Sequence, residues 1–534
     1  MSSLAGKITL LFALAVAAVT SLVAAPRFEP QIEVKGQVID IRVAKMGEEA
    51  FPQYKRHRFG QSLPASVDGM SYAVSLKEYR GPEAVRATQS CKLLLAVSGA
   101  TPDPAVWRPT GERFNINKDR FNFYEANYTT PNEWMELPKG ALTVMLFARN
   151  LRVEGTAELP GTVVARIKKL RDGHITNPNI IICKDGSYLA GCTNANQKRG
   201  TELYRSTDRG ATWQLWSQGF YPINFFTLFE WQDALYMMGT WTPGGSVIIC
   251  KSTDGGRTFT FPEDEYSRGV LIADRSHSAP MPMVVHNGRI WRSMETNLKD
   301  EPRRTFVMSA DVNADLMKAS SWKSTQELSF DPTWPTQAGG TTFSQWIEGC
   351  LVKTREGGLV NVLRVDEIAV GRTAAIVTVE SHRKLRFDPA TDIIEMPGGG
   401  KKFTIRYDEQ SDRYWALVAV ADPASMKMTH GGIYQKGLHA GVTRNTLTLI
   451  SSPDLRNWRE ERVVIKSDNP FFDGFQYVDW QFDGDDIVCV IRTAMEEERG
   501  LPTRQHDANF LLFKRVEKFR EAGETTFVKS LHKE

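Results

Sequence analysis

Three carboxylates, Glu295, Asp366 and Asp479, stand at or beside the ends of apolar, strand-like runs. Carboxylates that face one substrate are the machinery of glycoside hydrolysis. One donates a proton, the other acts as base or nucleophile, and their separation sets the stereochemistry. The run Leu363-Arg-Val-Asp-Glu367 closes an apolar strand on three charges, and Val490-Ile-Arg492 ends in the same way. Arg364, Arg492 and Arg275 could hold an anionic group of a substrate, with Asn177 and Trp241 as polar and stacking contacts. His277 and His506 are candidates for proton transfer or hydrogen bonding. Tyr477 lies two residues from Asp479, so on an unbroken strand both face one way, and Tyr477 could be a nucleophile or a stacking wall. Taken singly, each of these is equally well explained by a bond to a loop. Their clustering carries the argument.

The elements that must position them repeat. An apolar strand, a tight polar turn and a second apolar strand recur over residues 177–192, 224–240, 279–295, 343–364, 403–420 and 475–493, with turns such as Lys184-Asp-Gly-Ser187 and His286-Asn-Gly288. Asp-Gly and Asn-Gly are what short hairpins demand. Each hairpin is followed by a second strand pair, the last over 508–519. Six units of four strands predict an all-β chain with a six-bladed β-propeller over residues 161–525. In that architecture the residues before each inner strand and after each second strand share one face, where all the candidates fall. Residues 26–160 read instead as a separate β-sandwich-like module.

Composition narrows the classes. The net charge is +3 with both signs mixed along the chain, which excludes a nucleic-acid-binding stripe. Thirteen Trp and 14 Tyr supply flat faces on which sugars stack. The six cysteines are Cys91, Cys183, Cys192, Cys250, Cys350 and Cys489; most sit within apolar strands and are expected to be buried free thiols. There is no CxxC or HExxH, so neither a metal nor a cofactor is indicated. Residues 1–25 carry Lys7, an apolar run from Ile8 and small residues at Val23-Ala-Ala25. That is a signal-peptide pattern, implying a secreted or periplasmic protein, or one kept on an uncleaved N-terminal anchor. No later segment is apolar enough to span a bilayer, so the mature chain is expected to have no membrane span.

Two turns refine the fold. Ser206-Thr-Asp208-Arg-Gly210-Ala-Thr-Trp213 and Ser252-Thr-Asp254-Gly-Gly256-Arg-Thr-Phe259 share the pattern S-x-D-x-G-x-x-[W/F], and Ser452-Pro-Asp454-Leu-Arg-Asn-Trp458 is a shortened copy. The Asp caps backbone N–H groups, the Gly turns the chain and the aromatic plugs the blade. This is the Asp-box, or BNR repeat, and with it the chain resembles the sialidase superfamily. It is similar in particular to secreted bacterial sialidase-family proteins that carry stretches like Ser278-Ala-Pro-Met-Pro282, Gly474-Phe-Gln-Tyr-Val-Asp-Trp480 and His506-Asp-Ala-Asn509. The resemblance covers residues 165–520. It implies an arginine triad for a sugar carboxylate, a Tyr nucleophile assisted by Glu, and an Asp acid/base. The triad's first arginine is missing, because Asn177 or Asn179 occupies its place in Thr176-Asn-Pro-Asn-Ile180, and a neutral amide cannot make a charge-assisted fork.

Three functions follow from these residues. The first is a secreted glycoside hydrolase, exo-α-sialidase-like, acting on a glycan with an acidic or deoxy sugar. The second is a polysaccharide lyase in which His277 or Tyr477 abstracts a proton beside a uronate carboxylate. The third is a carbohydrate-binding propeller without turnover. All three have a glycan or oligosaccharide as partner.

Overall fold

The computed structural model describes residues 32–530, apart from 36–37, 45, 47–49, 51–57, 60–62, 76–81, 100, 117, 139–142, 149–150, 154–158, 168–172, 195–199, 218–222, 337–342, 431–433 and 498–500. The signal-peptide pattern of residues 1–25 lies outside the described residues. Strands dominate, and no described helix is long and apolar enough to cross a membrane.

Residues 32–153 form two sheets. Ile32–Lys35 lies between Leu151–Val153 and Ala84–Ala87 in one; Cys91–Ser98 lies between Thr143–Ala148 and Asp119–Tyr128 in the other. Their apolar faces meet in one core that includes Val34 and Val85 from the first sheet and Leu95, Tyr124 and Leu146 from the second. This is a sandwich packing.

The rest of the chain makes six sheets. The first four have as inner strands Ile175–Ile182, Ile223–Trp231, Ser276–His277 with Val284–His286, and Trp346–Lys353; the last two have Thr404–Asp408 and Gly474–Asp483. Each inner strand pairs antiparallel with the next strand in sequence. Neighbouring inner regions are joined by hydrogen bonds that run round a closed ring. The amide of Asn179 donates to Phe226 O, and Arg292 to Phe225 O. Gly349 N donates to Glu295, Ile405 N to Cys350 Sγ, Lys402 to Val478 O, and Ile180 N to Asp479. A ring of sheets packed about one axis is a β-propeller.

The ring closes differently from the sequence reading. Residues 508–519 supply one strand of the sixth sheet, Phe510–Val516, and its outermost strand is Thr162–Arg166, from the start of the propeller. Gly161 permits this: a Cβ there would lie 2.4 Å from Phe513 O. Beyond residue 525, Thr526–Val528 adds a parallel strand to the fifth sheet.

The two Ser-x-Asp-x-Gly turns join third and fourth strands. Asp208 Oδ1 accepts from Thr212 N at 2.9 Å, and Asp254 Oδ1 accepts from Thr258 N at 3.0 Å. Gly210 stands at φ +91°, and the Trp213 ring packs on Phe513. All six cysteines are free thiols, four of them buried.

The third blade carries an interruption. Pro280 and Pro282 offer no N–H, so the inner strand leaves the ladder between His277 and Val284. The carbonyls freed there are taken by Arg292, which is fully buried and donates to Ala279 O, Met281 O, Phe225 O and Thr227 Oγ1. Arg292→Met, leaving these neutral acceptors without their donor, should lower unfolding free energy by about 1–3 kcal/mol. Urea denaturation checks this, and a loss below ~1 kcal/mol would show that the bonds are replaceable.

Candidate active site

Four of the six inner strands share one irregularity. In the first, second, fourth and sixth blades one extra residue enters the inner strand: two residues lie between Thr176 and Asn179, Asn224 and Thr227, Ile347 and Cys350, and Gln476 and Asp479, against one on each partner. The extra residue has a left-handed backbone: Asn177 at φ +55°, Phe225 at +52°, Glu348 at +57° and Tyr477 at +54°. Such bulges break side-chain alternation and re-aim the bulged side chain. The residue two places on instead bolts its blade to the next. Asp479 accepts from Ile180 N at 2.9 Å, Asn179 from Leu228 N at 3.2 Å and Cys350 from Ile405 N at 3.4 Å, while Thr227 accepts from Arg292.

This corrects the reading of Tyr477 and Asp479 as same-facing neighbours. Tyr477 reaches the fourth blade, whereas Asp479 lines a cavity on the axis with Ile180, Thr227, Arg406 and Gln481, toward the Asp-turn end of the propeller. Asp479 is raised above the usual carboxylate range by burial, against the pull of Lys402 and Arg406.

Glu348 is the centre of the cluster. It is 3% exposed, and its carboxylate accepts from Tyr477 Oη at 2.9 Å and from Arg364 Nη1 at 2.7 Å. Burial pushes its pKa up, but Arg364, His277 and the two hydrogen bonds outweigh it, and the net shift is downward. Glu348 is therefore an anion at neutral pH. Tyr477 is pushed up, first by burial and then by the Glu348 charge, against Arg364, Arg444 and Arg492. Its phenol keeps its proton, shared toward Glu348. Arg364 bridges Glu348 and Asp366, its Nη2 lying 2.7 Å from Asp366 Oδ1. Asp366 Oδ2 accepts from Gln345 at 2.6 Å, so this carboxylate orients Arg364.

Three guanidinium groups surround the phenol. Arg492 lies over the Tyr477 ring, 5.0 Å from its centroid, and Arg444 donates to Gln476 at 2.7 Å. Burial lowers both, Arg444 to about 10. The Nε atoms of Arg364, Arg444 and Arg492 are all buried and lack a hydrogen-bond partner among the described residues, as does Lys401 Nζ nearby. Burial first, then Arg444 and Arg364, hold Lys401 well below the usual lysine range. Unpaired buried donors on this scale are costly unless an anion meets them.

The remaining candidates fall around this centre. Glu295 is fully buried, its carboxylate bound by His277 Nδ1 at 2.9 Å and by Gly349 N at 3.2 Å. The His506 ring nitrogens are 3.3 and 3.4 Å from Arg492 Nη2, and its Nδ1 is 2.8 Å from Asp507. Asn177 accepts from Phe225 N and ties the first blade to the second. Arg275 donates to Gly244 O on a loop, and Trp241 packs against the core of the first two blades. Glu348, Arg444 and Lys401 were not singled out from sequence. The signal for Glu348 was a lone carboxylate inside the apolar run Trp346-Ile-Glu-Gly-Cys-Leu-Val352. Among the described residues no cluster of three His, Cys, Asp or Glu is placed to hold a metal ion.

No family model matches this sequence, and no curated protein matches it. Among solved structures, the Hadza microbial sialidase Hz136 aligns with 82% of this chain and 91% of its own, at 11% identity and a TM-score of 0.46. An α-L-arabinanase of Penicillium chrysogenum complexed with arabinobiose aligns with 69% of this chain and 99% of its own, at 12% identity and a TM-score of 0.42. A mutant Trypanosoma rangeli sialidase displaying trans-sialidase activity aligns with 66% of this chain and 57% of its own, at 12% identity and a TM-score of 0.41. The propeller assignment rests on the closed ring of sheets itself.

His506 gives a test of the electrostatics. Burial, with Arg492 and Arg444, lowers it to about 4, against the Asp507 bond that raises it. A histidine depressed in the fold binds fewer protons than in the unfolded chain between pH 6.5 and about 4. Its stabilising contribution is thus present above that window and lost as pH falls through it. His506→Asn should flatten the fall of stability across this window, measured as urea midpoints; an unchanged slope would assign the acid sensitivity to other groups.

Proposed function

We propose that the protein is a secreted glycoside hydrolase that cleaves a glycan at an anionic sugar. The observation that carries this reading is the Tyr477–Glu348 hydrogen bond of 2.9 Å within three buried arginines whose Nε donors are unpaired. A phenol suits an anionic substrate because it approaches the anomeric carbon without the repulsion that a carboxylate nucleophile would meet. Glu348, already an anion, takes the phenol proton as the oxygen–carbon bond forms. Arg364, Arg444 and Arg492 hold the sugar's negative group beside the reacting carbon, which supplies orientation as well as charge. The resemblance to the sialidase superfamily supports the same roles for a Tyr and a Glu. Arg492, from the sixth blade, stands in for the first-blade arginine that Asn177 replaces.

The test is incubation with sialylated, uronic-acid-bearing and arabinofuranosyl glycans in oxygen-labelled water, followed by mass spectrometry. The expected product is a free sugar carrying the label. Glu348→Gln should lower kcat by roughly 10²–10⁴-fold, and Tyr477→Phe at least as much. An unlabelled, unsaturated uronate would replace hydrolysis by elimination with Tyr477 as base. Binding without any product, equal in wild type and Glu348→Gln, would leave a carbohydrate-binding propeller.

A further inference from the structure

We infer that His277, held by Glu295, is the acid/base group of this site: it protonates the leaving oxygen and then deprotonates the incoming water. The inference rests on the hydrolase reading above and assigns the one role that reading leaves empty. A nucleophile and its base remove the sugar from its aglycone only if the departing oxygen gains a proton, and neither Tyr477 nor Glu348 can give one to that side of the bond.

The candidates for the role reduce on geometry. Asp366 is engaged on both oxygens by Arg364 and Gln345. Asp479 lies beyond the bulge and bolts the sixth blade to the first. Glu295 has no exposed surface, and both of its oxygens are bound. His277 differs. Its Nδ1 is 2.9 Å from Glu295 Oε2, and its Nε2 has no partner among the described residues. About 9% of its side chain is open to solvent. The ring rests on Phe225, the bulged residue of the second blade, with centroids 4.3 Å apart.

The dyad is also tied to the reacting centre. Glu295 Oε1 accepts from Gly349 N, and the next residue back along the chain is Glu348. One continuous path, His277–Glu295–Gly349–Glu348–Tyr477, therefore fixes the imidazole relative to the phenol across two blade boundaries. Gly349 is obligatory on this path, since a Cβ would lie 2.3 Å from Asn361 and 2.4 Å from Ser293. His277 is near enough to Glu348 to help lower it. The charged groups that face the dyad are Glu348 from the fourth blade and Arg292 from its own, while the second blade presents the uncharged Phe225.

The steps balance. Imidazolium gives its Nε2 proton to the glycosidic oxygen as the carbon–oxygen bond breaks, and Tyr477 Oη bonds the anomeric carbon while its proton passes to Glu348. The aglycone leaves as an alcohol. Water then attacks the same carbon and loses a proton to Nε2, the carbon–Tyr477 bond breaks, and the phenol recovers its proton from Glu348. Glu295 forms and breaks no covalent bond in either step. It is a positioning residue whose contact with Nδ1 holds the ring and leaves Nε2 as the atom that exchanges the proton.

The experiment uses the full protein and two glycosides of N-acetylneuraminic acid, methyl and 4-methylumbelliferyl, with the matched glucuronide pair. His277→Ala and the shape-conserving His277→Gln, each checked for an unchanged melting curve, should lose roughly 10²–10⁴-fold in kcat/KM on the methyl glycoside. The loss on the umbelliferyl glycoside, whose leaving group needs little protonation, should be below about tenfold. Azide, a nucleophile that needs no base, should restore turnover of the umbelliferyl substrate by His277→Ala and yield a glycosyl azide. Glu295→Gln should repeat the leaving-group pattern of His277→Ala in weaker form, with the loss on the methyl glycoside exceeding that on the umbelliferyl glycoside, because the imidazole loses the partner that positions it. Equal losses on the two leaving groups, or no glycosyl azide from His277→Ala, would overturn the assignment while leaving the hydrolase reading intact. A wild type inert on both pairs would overturn both.

Discussion

The site depends on a constraint of β-geometry. Inner strands crowd round the propeller axis, and strict alternation would send every second side chain into a neighbouring blade. One extra residue with a left-handed backbone, repeated in four blades, separates two duties that alternation would merge. In the fourth and sixth blades the bulged residues Glu348 and Tyr477 meet in one cluster, and in all four blades the residue two places on locks neighbouring blades together. Each left-handed non-glycine residue carries a local conformational cost of order 1–3 kcal/mol, and the bonds that follow it hold the conformation in place. The geometry of the cluster and the closure of the ring are thus fixed by the same short segments.

Charge follows from that placement. Glu348 enters a nearly dry position and keeps its charge because Arg364 is within 2.7 Å. Arg364 already bridges Glu348 and Asp366, while Arg444 and Arg492 make no ion pair with either carboxylate, so the cations cluster on the Tyr477 side. Arg292 shows the contrasting use of a buried guanidinium: all its bonds go to neutral acceptors, and it repairs a strand that two prolines have opened. Arg292 uses both of its Nη groups in blade-to-blade bonds, whereas Arg364, Arg444 and Arg492 gather round one phenol.

Much of the architecture was legible in the chain because it is local. Turns such as Lys184-Asp-Gly-Ser187 and the Asp208 and Asp254 loops determine their own conformation within a few residues, so repeat and strand order could be read directly. The closing strand could not. Thr162–Arg166 is five residues whose partner lies more than 300 positions away, and nothing local marks it as part of the last blade. Bulges were equally invisible, since Gln476-Tyr-Val-Asp479 has the composition of a regular strand; the error over Tyr477 and Asp479 followed. Arg444 escaped because it precedes a third strand, although the loop between second and third strands opens on the same face. Glu295, Arg364 and Arg492 stand out in the sequence because a charge that ends an apolar strand is conspicuous at any level of description, and His277 because it precedes one.

The seam of the sixth blade has a bearing on how the molecule is made. Thr162–Arg166 emerges before any other propeller strand, yet its partner Phe510–Val516 is made after every other strand of the six sheets except the short Thr526–Val528. From the latter, hydrogen bonds pass through the strand of Arg492 to the strand of Tyr477. During synthesis the first strand must wait, unpaired, for almost the whole propeller to appear. Until then the sixth sheet lacks the strand to which the first must pair, and the ring stays an open arc. The earliest strand of the propeller is thus also the one that seals it.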